Sequence, residues 1–372
     1  MSTAITRALN RALDKVDLSR AEVAEAFGQI MDGEATPAQI GGFLIALRAK
    51  GETVEELVGA ASAMRTRATP LDCPRIEHSI DTCGTGGDGA GTFNVSTLAA
   101  ILIAACGGQV AKHGNRALSS KCGSADVLEG LGITVDAEPA IVTRSIEHAN
   151  IGFAFAPKFH AATRHAAGPR KELGTRTIFN LLGPLTNPAA VHHQVVGVYD
   201  RKWCEHVAAA LGALGCRRAA VVHGAGNLDE LTVKGDTHVA IYDNGSVTTH
   251  MLRPKHFGCD ELDPAGLAGG DAAHNASVMR KILAGQLIGH GERFEAILQS
   301  SAMTAALGLE LLEPGVLDLD RLPDQYIRAR MVAIDGAARL ALYRWQEASA
   351  APLGADLSEL ARKTAADFIG VE

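Results

Sequence analysis

The sequence DTCGTGGDGAGTFNVST, residues 81–97, predicts a phosphate-binding loop within an α/β fold. Its five glycines can adopt positive φ and let a ligand approach the backbone closely, and such a loop can direct successive N–H groups at an anion. The run 79–83 is typical of a strand end, and the apolar run 98–106 predicts a buried helix. Three residues before that helix are common caps: Asn94, Ser96 and Thr97. We therefore expect the loop to open onto a helix N-terminus, which favours phosphate; the alternative is a plain glycine-rich connection.

A second polar stretch, KHGNRALSSKCGSADVLE at residues 112–129, follows a predicted strand at 109–112. It should lie at the carboxyl end of that strand, where ligands bind in open α/β sheets. Its side chains combine positive charge with hydroxyl and amide groups: Lys112, Asn115, Arg116, Ser119, Ser120, Lys121 and Ser124. Ser124 is also predicted to cap a helix from Ala125. The stretch predicts a second anion site, against the alternative of a solvated surface loop.

Two adjacent carboxylates, Asp229 and Glu230, follow a predicted buried strand at 219–223. Oxygen ligands without nearby His or Cys suit a hard divalent cation such as Mg²⁺. Asp88, inside the glycine stretch, would repel a phosphate unless a cation or a sugar hydroxyl lay between them. An isolated Asp-Glu pair is usually only surface charge, so its meaning depends on the two phosphate loops.

Cations are concentrated between residues 160 and 188, at Arg164, His165, Arg170, Lys171 and Arg176. An arginine can hold a carboxylate through two parallel hydrogen bonds. A solvated basic helix face explains the spacing equally well. We predict a helix over 170–182 that ends before Gly183-Pro184.

The composition restricts the class of protein. The chain has 372 residues, 47% of them hydrophobic, and a net charge of −7, which argues against nucleic-acid binding as the main role. Its seven cysteines show no metal spacing and are typical of reduced thiols. The N-terminus has no apolar signal core, and no segment is apolar for about 18 residues. These features predict a cytoplasmic protein that does not enter a membrane.

The order of predicted elements indicates two units. Four helices are expected before residue 68, with starts at Ser19, Thr36 and Thr53. Strands and helices then alternate from about residue 76, which implies a mainly parallel sheet flanked by helices. Asp243-Asn-Gly245 predicts a hairpin turn, and the last hundred residues are mostly helical. Four short helices form a marginal domain alone, so they should pack on the α/β body or on a second subunit.

Four motifs resemble those of anthranilate phosphoribosyltransferases: GTGGDGAGTFNVST at 84–97, KHGNRALSSKCGSADVLE at 112–129, GTRTIFNLLGPLTNP at 174–188 and LDELT at 228–232. The similarity covers nearly the whole chain, including DGEATPAQIGGFLIALRAKGET at 32–53. It implies a small helical domain (1–70, joined by a segment near 165–190), an α/β domain (71–372) with a fold shared with pyrimidine nucleoside phosphorylases, and a homodimer. The implied reaction transfers phosphoribosyl from 5-phosphoribosyl diphosphate to anthranilate, in tryptophan biosynthesis.

The resemblance also implies site residues. Those for the phosphoribosyl diphosphate donor are Gly84, Gly87, Asp88, Thr92, Asn94, Val95, Ser96, Thr97, Lys112, His113, Gly114, Asn115, Arg116, Ala117, Leu118, Ser119, Ser120 and Ser124. Those for anthranilate are Gly84, Asn115, His160, Arg170 and Pro184, with His113 nearby. Ser96, Asp229 and Glu230 are the implied magnesium ligands. No residue is assigned as a catalytic acid or base.

The chain departs from the family pattern at Thr163, commonly Met, and at Gly168-Pro169, commonly Pro-Val. Gly226-Asn227 stands where Asp-Gly is common. The first two changes flank the acceptor pocket and leave open a paralogue that uses another aromatic amine. Two further classes stay open, a nucleoside phosphorylase and a non-catalytic, nucleic-acid-binding relative, although the acidic charge of the chain opposes the second.

Overall fold

The central feature of the computed structural model, which describes residues 3–117, 121–286 and 291–355, is one sheet of seven strands. The strands are β1 Ser79–Gly84, β2 Gln109–Gly114, β3 Ile151–Phe155, β4 His193–Gly197, β5 Arg218–Gly224, β6 Thr237–Asp243 and β7 Ser246–Leu252. Their order is β3-β2-β1-β4-β5-β6-β7. The first five strands in this order are parallel, and the pairs β5–β6 and β6–β7 are antiparallel. The predicted mainly parallel sheet and the hairpin at Asp243-Asn-Gly245 are confirmed.

The strand order places a binding crevice. The chain moves outward from β1 to β3 and then returns to the other side of β1 with β4. Connections that leave neighbouring strands toward opposite sides open a crevice at the carboxyl ends of those strands. The glycine stretch follows β1 directly and therefore lies at this crevice.

Four helices precede the sheet: α1 Ala4–Leu13, α2 Arg20–Met31, α3 Pro37–Lys50 and α4 Val54–Arg65. As predicted, Ser19, Thr36 and Thr53 each accept a hydrogen bond from the N–H three residues later and start a helix. The apolar faces of this bundle pack in one cluster with the outer face of β4 and β5, for example Val196 and Val221.

The helices that flank the sheet are α5 Val95–Ala105, α6 Ser124–Gly130, α7 Pro139–Ala149, α8 Ala156–Phe159, α9 Arg164–Leu173, α10 Phe179–Leu185, α11 Cys204–Ala213, α12 Ala272–Leu283, α13 Glu292–Leu312, α14 Leu322–Ile334 and α15 Ala337–Ala350. Alternating strand residues face two separate cores: Val195 belongs to the cluster that includes α5 and α13, whereas Val196 belongs to the cluster that includes α4 and α11. The prediction that the last hundred residues are mostly helical is confirmed within the described residues.

The predicted helix over 170–182 is wrong. Gly174 adopts left-handed φ of 56° and ends α9, which is a common way for a helix to stop. The side chain of Asn180 then accepts the N–H of Thr177 at 3.0 Å, and α10 begins at Phe179. That short helix includes Gly183 and Pro184 instead of ending before them. Both α9 and α10 pack against the N-terminal bundle.

Candidate active site

A polar cavity of about 300 Å³ lies where β1, β2 and β5 end. Fourteen residues expected to bind the donor line it: Gly84, Gly87, Asp88, Thr92, Asn94, Ser96, Thr97, Lys112, His113, Gly114, Asn115, Arg116, Ala117 and Ser124. Val95 is buried in the first turn of α5 and does not line it. Leu118, Ser119 and Ser120 lie outside the described residues. We refer to this space as the donor cavity.

The glycine stretch has the backbone that its sequence predicts. Gly86, Gly87, Gly89 and Gly91 have φ between 63° and 77°, where side chains other than glycine are strained. Gly84 is needed for a different reason, because a β-carbon there would lie 2.7 Å from Asp229 Oδ2. The N–H groups of Gly87 and Asp88 donate to no acceptor within the described residues. They are therefore available to an anion.

The start of α5 differs from the expectation. Asn94 precedes the helix but does not cap it through its side chain. That side chain instead donates to Cys122 O at 3.1 Å and accepts from Asn275 at 2.9 Å. The N–H of Ser96 donates to Glu230 Oε1 at 3.3 Å. The Glu230 carboxylate, from a loop distant in sequence, therefore accepts a hydrogen bond from a helix N-terminal N–H that we expected a neighbouring residue to cap.

The predicted cap at Ser124 is also displaced. Ser124 is the first residue of α6, and Gly123 precedes the helix. The Gly123 N–H donates to Asp126 at 2.9 Å, while Ser124 Oγ donates to Asn115 O at 3.3 Å. The Ser124 hydroxyl thus holds the 114–116 backbone in place and also lines the donor cavity.

Asp229 and Glu230 are more buried than a loop position suggests, with 7% and 9% of their surface exposed. Burial, followed by the nearby charge of Asp88, raises the pKa of Asp229 to about 7. Burial and then the charge of Asp229 raise the pKa of Glu230 well above its usual range. Asp229 is held by the N–H of Gly86 at 2.8 Å. Clustered carboxylates that disfavour ionisation fit a divalent cation, whose charge would relieve their repulsion.

A second observation supports a ligand at this point. Thr97 lines the donor cavity, and its hydroxyl oxygen is buried with no hydrogen-bond partner within the described residues. Buried polar atoms are normally satisfied, so an orphaned one needs an explanation such as an ion or ligand. The residues present therefore fit both an anion and magnesium.

Two of the three cations of the second motif, Lys112 and Arg116, are held by protein groups and do not form a phosphate clamp. Lys112 is almost fully buried, and its Nζ donates to the carbonyl of Thr82. Burial raises the pKa of Asp81 and of Glu230, and the positive charge of Lys112 offsets part of that rise. The guanidinium of Arg116 pairs with Asp126 at 3.0 Å and Glu129 at 2.8 Å on α6. Lys112 thus supplies positive potential beneath the cavity, and Arg116 braces its rim.

A second cavity, of about 490 Å³, adjoins the first. We call it the acceptor cavity; its walls come from α4, α8, α9 and α10, and it contains all five residues expected at the anthranilate site: Gly84, Asn115, His160, Arg170 and Pro184. The Arg170 guanidinium carbon lies 4.7 Å from the centre of the Phe179 ring. Its side chain makes no hydrogen bond or ion pair with the described residues, and burial lowers its pKa. A desolvated arginine without a partner is well suited to a carboxylate.

Two histidines form part of the acceptor cavity wall. The rings of His113 and His160 are 5.0 Å apart. Burial lowers the pKa of His113 to about 3 and that of His160 to about 4, so both are neutral near pH 7. His113 Nδ1 lies 3.1 Å from Gly183 O, and a carbonyl only accepts, so Nδ1 carries the proton. The Nε2 atoms have no partner among the described residues.

The two cavities share one wall, which consists of Cys83, Gly84, Thr85, His113, Gly114, Asn115 and Asn180. A ligand in one cavity would therefore lie beside a ligand in the other, as a group transfer requires. The sequence analysis missed Asn180 and Thr85. Asn180 lies in GTRTIFNLLGP, where an amide among apolar residues was the available signal.

The remaining cations of the 160–188 segment separate. Arg164 lines the acceptor cavity, but Arg176 does not. Arg176 instead extends to the glycine stretch, where it donates to the carbonyl of Gly87. Lys171 is exposed on α9.

Two family models match the chain. Residues 77–317 match the glycosyl transferase family α/β domain, and residues 6–68 match the helical bundle domain of the same family. An anthranilate phosphoribosyltransferase of Anaeromyxobacter is 48% identical over 335 residues, which cover 89% of this chain and 98% of that protein. The corresponding protein of Moorella thermoacetica is 54% identical over 268 residues, or 72% and 79% of the two chains. The chain belongs to the anthranilate phosphoribosyltransferase family.

Solved structures of this family agree. Anthranilate phosphoribosyltransferase from Thermus thermophilus superposes with a TM-score of 0.84 at 40% identity, covering 92% of this chain and 99% of that one. The Saccharomyces cerevisiae enzyme in complex with PRPP and Mg gives 0.82 at 26% identity and 93% and 97% coverage. As an anthranilate phosphoribosyltransferase family member, the chain is a glycosyltransferase that acts in tryptophan biosynthesis.

The departures from the family pattern have different surroundings in this anthranilate phosphoribosyltransferase family member. Thr163 lines the acceptor cavity, and its hydroxyl donates to His160 O at 2.7 Å. Pro169 is buried within α9 directly before Arg170, whereas Gly168 is exposed with open space around it. Gly226 and Asn227 both have positive φ in the turn after β5. Thr163 is thus the departure that changes the cavity surface.

Proposed function

We propose that the donor cavity holds 5-phosphoribosyl diphosphate and the acceptor cavity holds anthranilate. The observation that carries this proposal is the unpartnered Arg170 guanidinium beside Phe179, in a space that shares a wall with the glycine stretch. A flat aromatic acid matches the ring and the planar guanidinium together. The yeast relatives have been solved with PRPP and Mg and with 4-fluoroanthranilate.

In the proposed reaction the amine nitrogen forms a bond to the anomeric carbon of the ribose. The bond from that carbon to the diphosphate oxygen breaks, diphosphate leaves, and the amine loses one proton. An aryl amine is already neutral at pH 7, so no strong base is required. Arg170 would orient the acid, and the shared wall would bring nitrogen and carbon together. The N–H groups of Gly87 and Asp88 would bind the diphosphate, with Lys112 adding positive potential beneath it.

Magnesium fits the carboxylate cluster of the donor cavity. Ser96, Asp229 and Glu230 would hold it, and when bound it supplies charge that neutralises the departing diphosphate. Asp88, whose carboxylate accepts the N–H of Asp229 at 3.4 Å, lies at the same position. The clustered carboxylates and the orphaned Thr97 hydroxyl support this assignment.

The decisive experiment follows the fluorescence of anthranilate in the presence of phosphoribosyl diphosphate, with and without magnesium. We expect magnesium-dependent loss of anthranilate and one equivalent of diphosphate released. Thymidine with phosphate tests phosphorolysis, and single-stranded DNA at several salt concentrations tests nucleic-acid binding. Turnover of another aryl amine but not anthranilate would support the paralogue that Thr163 leaves open and contradict the proposed acceptor.

We also propose two domains, residues 1–70 and 71–372, with the segment near 165–190 joining the helical one. Contacts of α9 with α2 and α3, and of α10 with α4, support this division. Limited proteolysis should cut first between the two units.

We further propose a cytoplasmic homodimer formed through the helical domain. Leu13, Val16 and Ile45 are exposed apolar side chains on that domain, which supports an interface there. Within the described residues, every helix is too short or too polar to cross a bilayer. Sedimentation should give a dimer, and Ile45→Glu should shift it toward a monomer; a concentration-independent monomer would exclude the dimer.

A further inference from the structure

The connection between α9 and α10 contacts the glycine stretch from outside the donor cavity. Arg176 extends from this connection, and its Nη2 donates to the carbonyl of Gly87. Its guanidinium carbon lies 4.2 Å from the centre of the Tyr199 ring, within the range of a cation–π contact. Arg176 lines neither the donor nor the acceptor cavity. It lines a third cavity of about 380 Å³.

The same connection is held from the helical bundle. Arg48, near the end of α3, donates through Nη1 to the carbonyl of Arg176 at 2.6 Å and also to the hydroxyl of Thr175. A chain of direct contacts therefore runs from α3 through Arg48 and Arg176 to Gly87. It joins two parts of the sequence that are about 40 residues apart.

The contact at Gly87 bears on anion binding through peptide geometry. In a trans peptide the carbonyl of one residue and the N–H of the next point in opposite directions. When Arg176 fixes the Gly87 carbonyl, it also fixes the direction of the Asp88 N–H, which points away from Arg176. Gly87 and Asp88 line the donor cavity, and this N–H has no acceptor within the described residues.

Arg176 does not act alone on the loop. The N–H of Gly86, the residue before Gly87, donates to Asp229 Oδ2 at 2.8 Å. Gly86 and Gly87 have φ of 64° and 76°. Because they lack side chains, their own backbone torsions are not restricted to these values. The two side-chain contacts must supply that restriction.

We propose that Arg176 is a positioning residue for the donor loop: it ties α3, through Arg48, to the peptide that presents the Asp88 N–H to the diphosphate. This proposal rests on the proposed donor site. Arg176 orients this N–H without touching the donor, so its removal should weaken donor binding and leave the acceptor cavity unchanged.

The test compares Arg176→Met, which keeps the length of the chain but removes the donors, with Lys202→Met. Lys202 is the matched control, because it lines the same third cavity and lies over an aromatic ring, that of Trp203, at 5.2 Å. We expect Arg176→Met to raise the KM for phosphoribosyl diphosphate roughly tenfold, the order of effect for a hydrogen bond from a charged group. The KM for anthranilate and the melting temperature should stay unchanged, and the control should match wild type.

Two further variants separate positioning from packing. Arg176→Lys retains one charged donor and should recover part of the donor affinity. Arg48→Met should also raise the donor KM, and the Arg48→Met/Arg176→Met double variant should be no worse than Arg176→Met, since both act along one chain of contacts.

An unchanged donor KM in Arg176→Met, or an equal rise in both KM values, would overturn the positioning role. Full additivity of the two substitutions would do the same. Absence of turnover in the wild-type protein would instead contradict the proposed function. Calorimetric titration with phosphoribosyl diphosphate and magnesium would then still report whether Arg176→Met alters donor binding.

Discussion

The donor and acceptor cavities share a wall but are built in opposite ways. The donor cavity consists of loops at strand ends, with backbone amides, hydroxyls and buried carboxylates facing inward. The acceptor cavity is enclosed by helices and has a mostly apolar surface, against which Arg170 lies desolvated beside Phe179. The difference matches the chemistry of the two ligands. A diphosphate needs many donors and a cation, whereas a flat aromatic acid needs a surface and one clamp.

The comparison predicts that substitutions in one cavity should affect one substrate only. The shared wall is the exception, since Gly84 and Asn115 line both spaces. Four experiments test this separation.

The largest effect is expected from Asp229→Asn with Glu230→Gln. Turnover should fall by more than about 100-fold, at least the loss that follows from disturbing a metal site. The melting temperature should not fall. Burial raises the pKa of both carboxyl groups and so disfavours their charged forms, and the substitutions replace them with neutral amides of the same shape. The control is Asp260→Asn with Glu261→Gln, an adjacent acidic pair on the exposed surface. Normal activity of the Asp229→Asn/Glu230→Gln variant with magnesium present would show that these carboxylates do not hold the metal.

Arg170→Ala should damage the acceptor side alone. We expect the apparent KM for anthranilate to rise roughly 10- to 150-fold, since hydrogen bonds to charged groups contribute about 1.5–3 kcal/mol. The KM for the donor should barely change. Lys171→Ala, which removes an exposed charge from the next position, serves as control.

The same variant gives a test with a second amine. Aniline lacks the carboxylate, so the wild-type enzyme should use it poorly, and Arg170→Ala should discriminate much less between the two amines. Arg170→Lys should recover only part of the loss because lysine lacks the planar fork. An equal loss of activity with both amines would indicate that Arg164, which lines the same cavity, binds the carboxylate instead of Arg170.

A smaller effect on the donor side is expected from Gly87→Ala, compared with Gly89→Ala. The two residues have φ of 76° and 77°, so alanine pays a similar penalty of roughly 1–2 kcal/mol at each. Only Gly87 lines the donor cavity. Because Gly87 presents its N–H to the donor, the penalty should appear in the donor KM as a rise of about 5- to 30-fold for Gly87→Ala. At Gly89, which lies away from the cavity, the same penalty should lower stability and leave the donor KM less affected. Identical kinetics for the two variants would indicate that overall loop strain, not the local approach, controls binding.

The last experiment concerns stability and does not involve activity at pH 7. In the folded protein the pKa values of His113 and His160 are about 3 and about 4, below the usual value of about 6.5 in the unfolded chain. As the pH falls from about 6.5 to about 4, the unfolded state binds protons that the folded state does not, so stability should fall. Urea denaturation at pH 7 and pH 5 measures this fall. His113→Gln with His160→Gln should make it shallower, although buried His193, with a pKa of about 4, contributes as well; an unchanged slope would show that the pair does not titrate in this range.

Residues close together in sequence made the donor cavity predictable. Glycine density gave the loop, and Ser124, Lys112 and Asn115 occur within one motif, so their position at the end of β2 followed from the strand before them. Their individual partners did not follow. Lys112 lies beneath the cavity with its Nζ on the carbonyl of Thr82, and Arg116 pairs with Asp126 and Glu129 because the folded chain brings α6 back beside the end of β2.

The acceptor cavity was less accessible to sequence reasoning. Its walls combine Met64 on α4, Pro157 on α8, Arg170 on α9 and Phe179 on α10, and no spacing pattern connects these positions. Arg170 and Arg176 were equivalent as cations in one basic segment. The left-handed turn at Gly174 separates them, so that one faces the acceptor cavity and the other the glycine stretch.

The sequence by itself determined the α/β architecture, the capped N-terminal helices, the glycine loop and the family, because these depend on local backbone preference and on patterns within short segments. The tertiary structure alone decided which amide Glu230 satisfies, which arginine lies desolvated against Phe179, how deeply the carboxylates lie, and that the two cavities meet. Those properties depend on contacts between residues far apart in the chain, where burial and the distance between charges are set by packing.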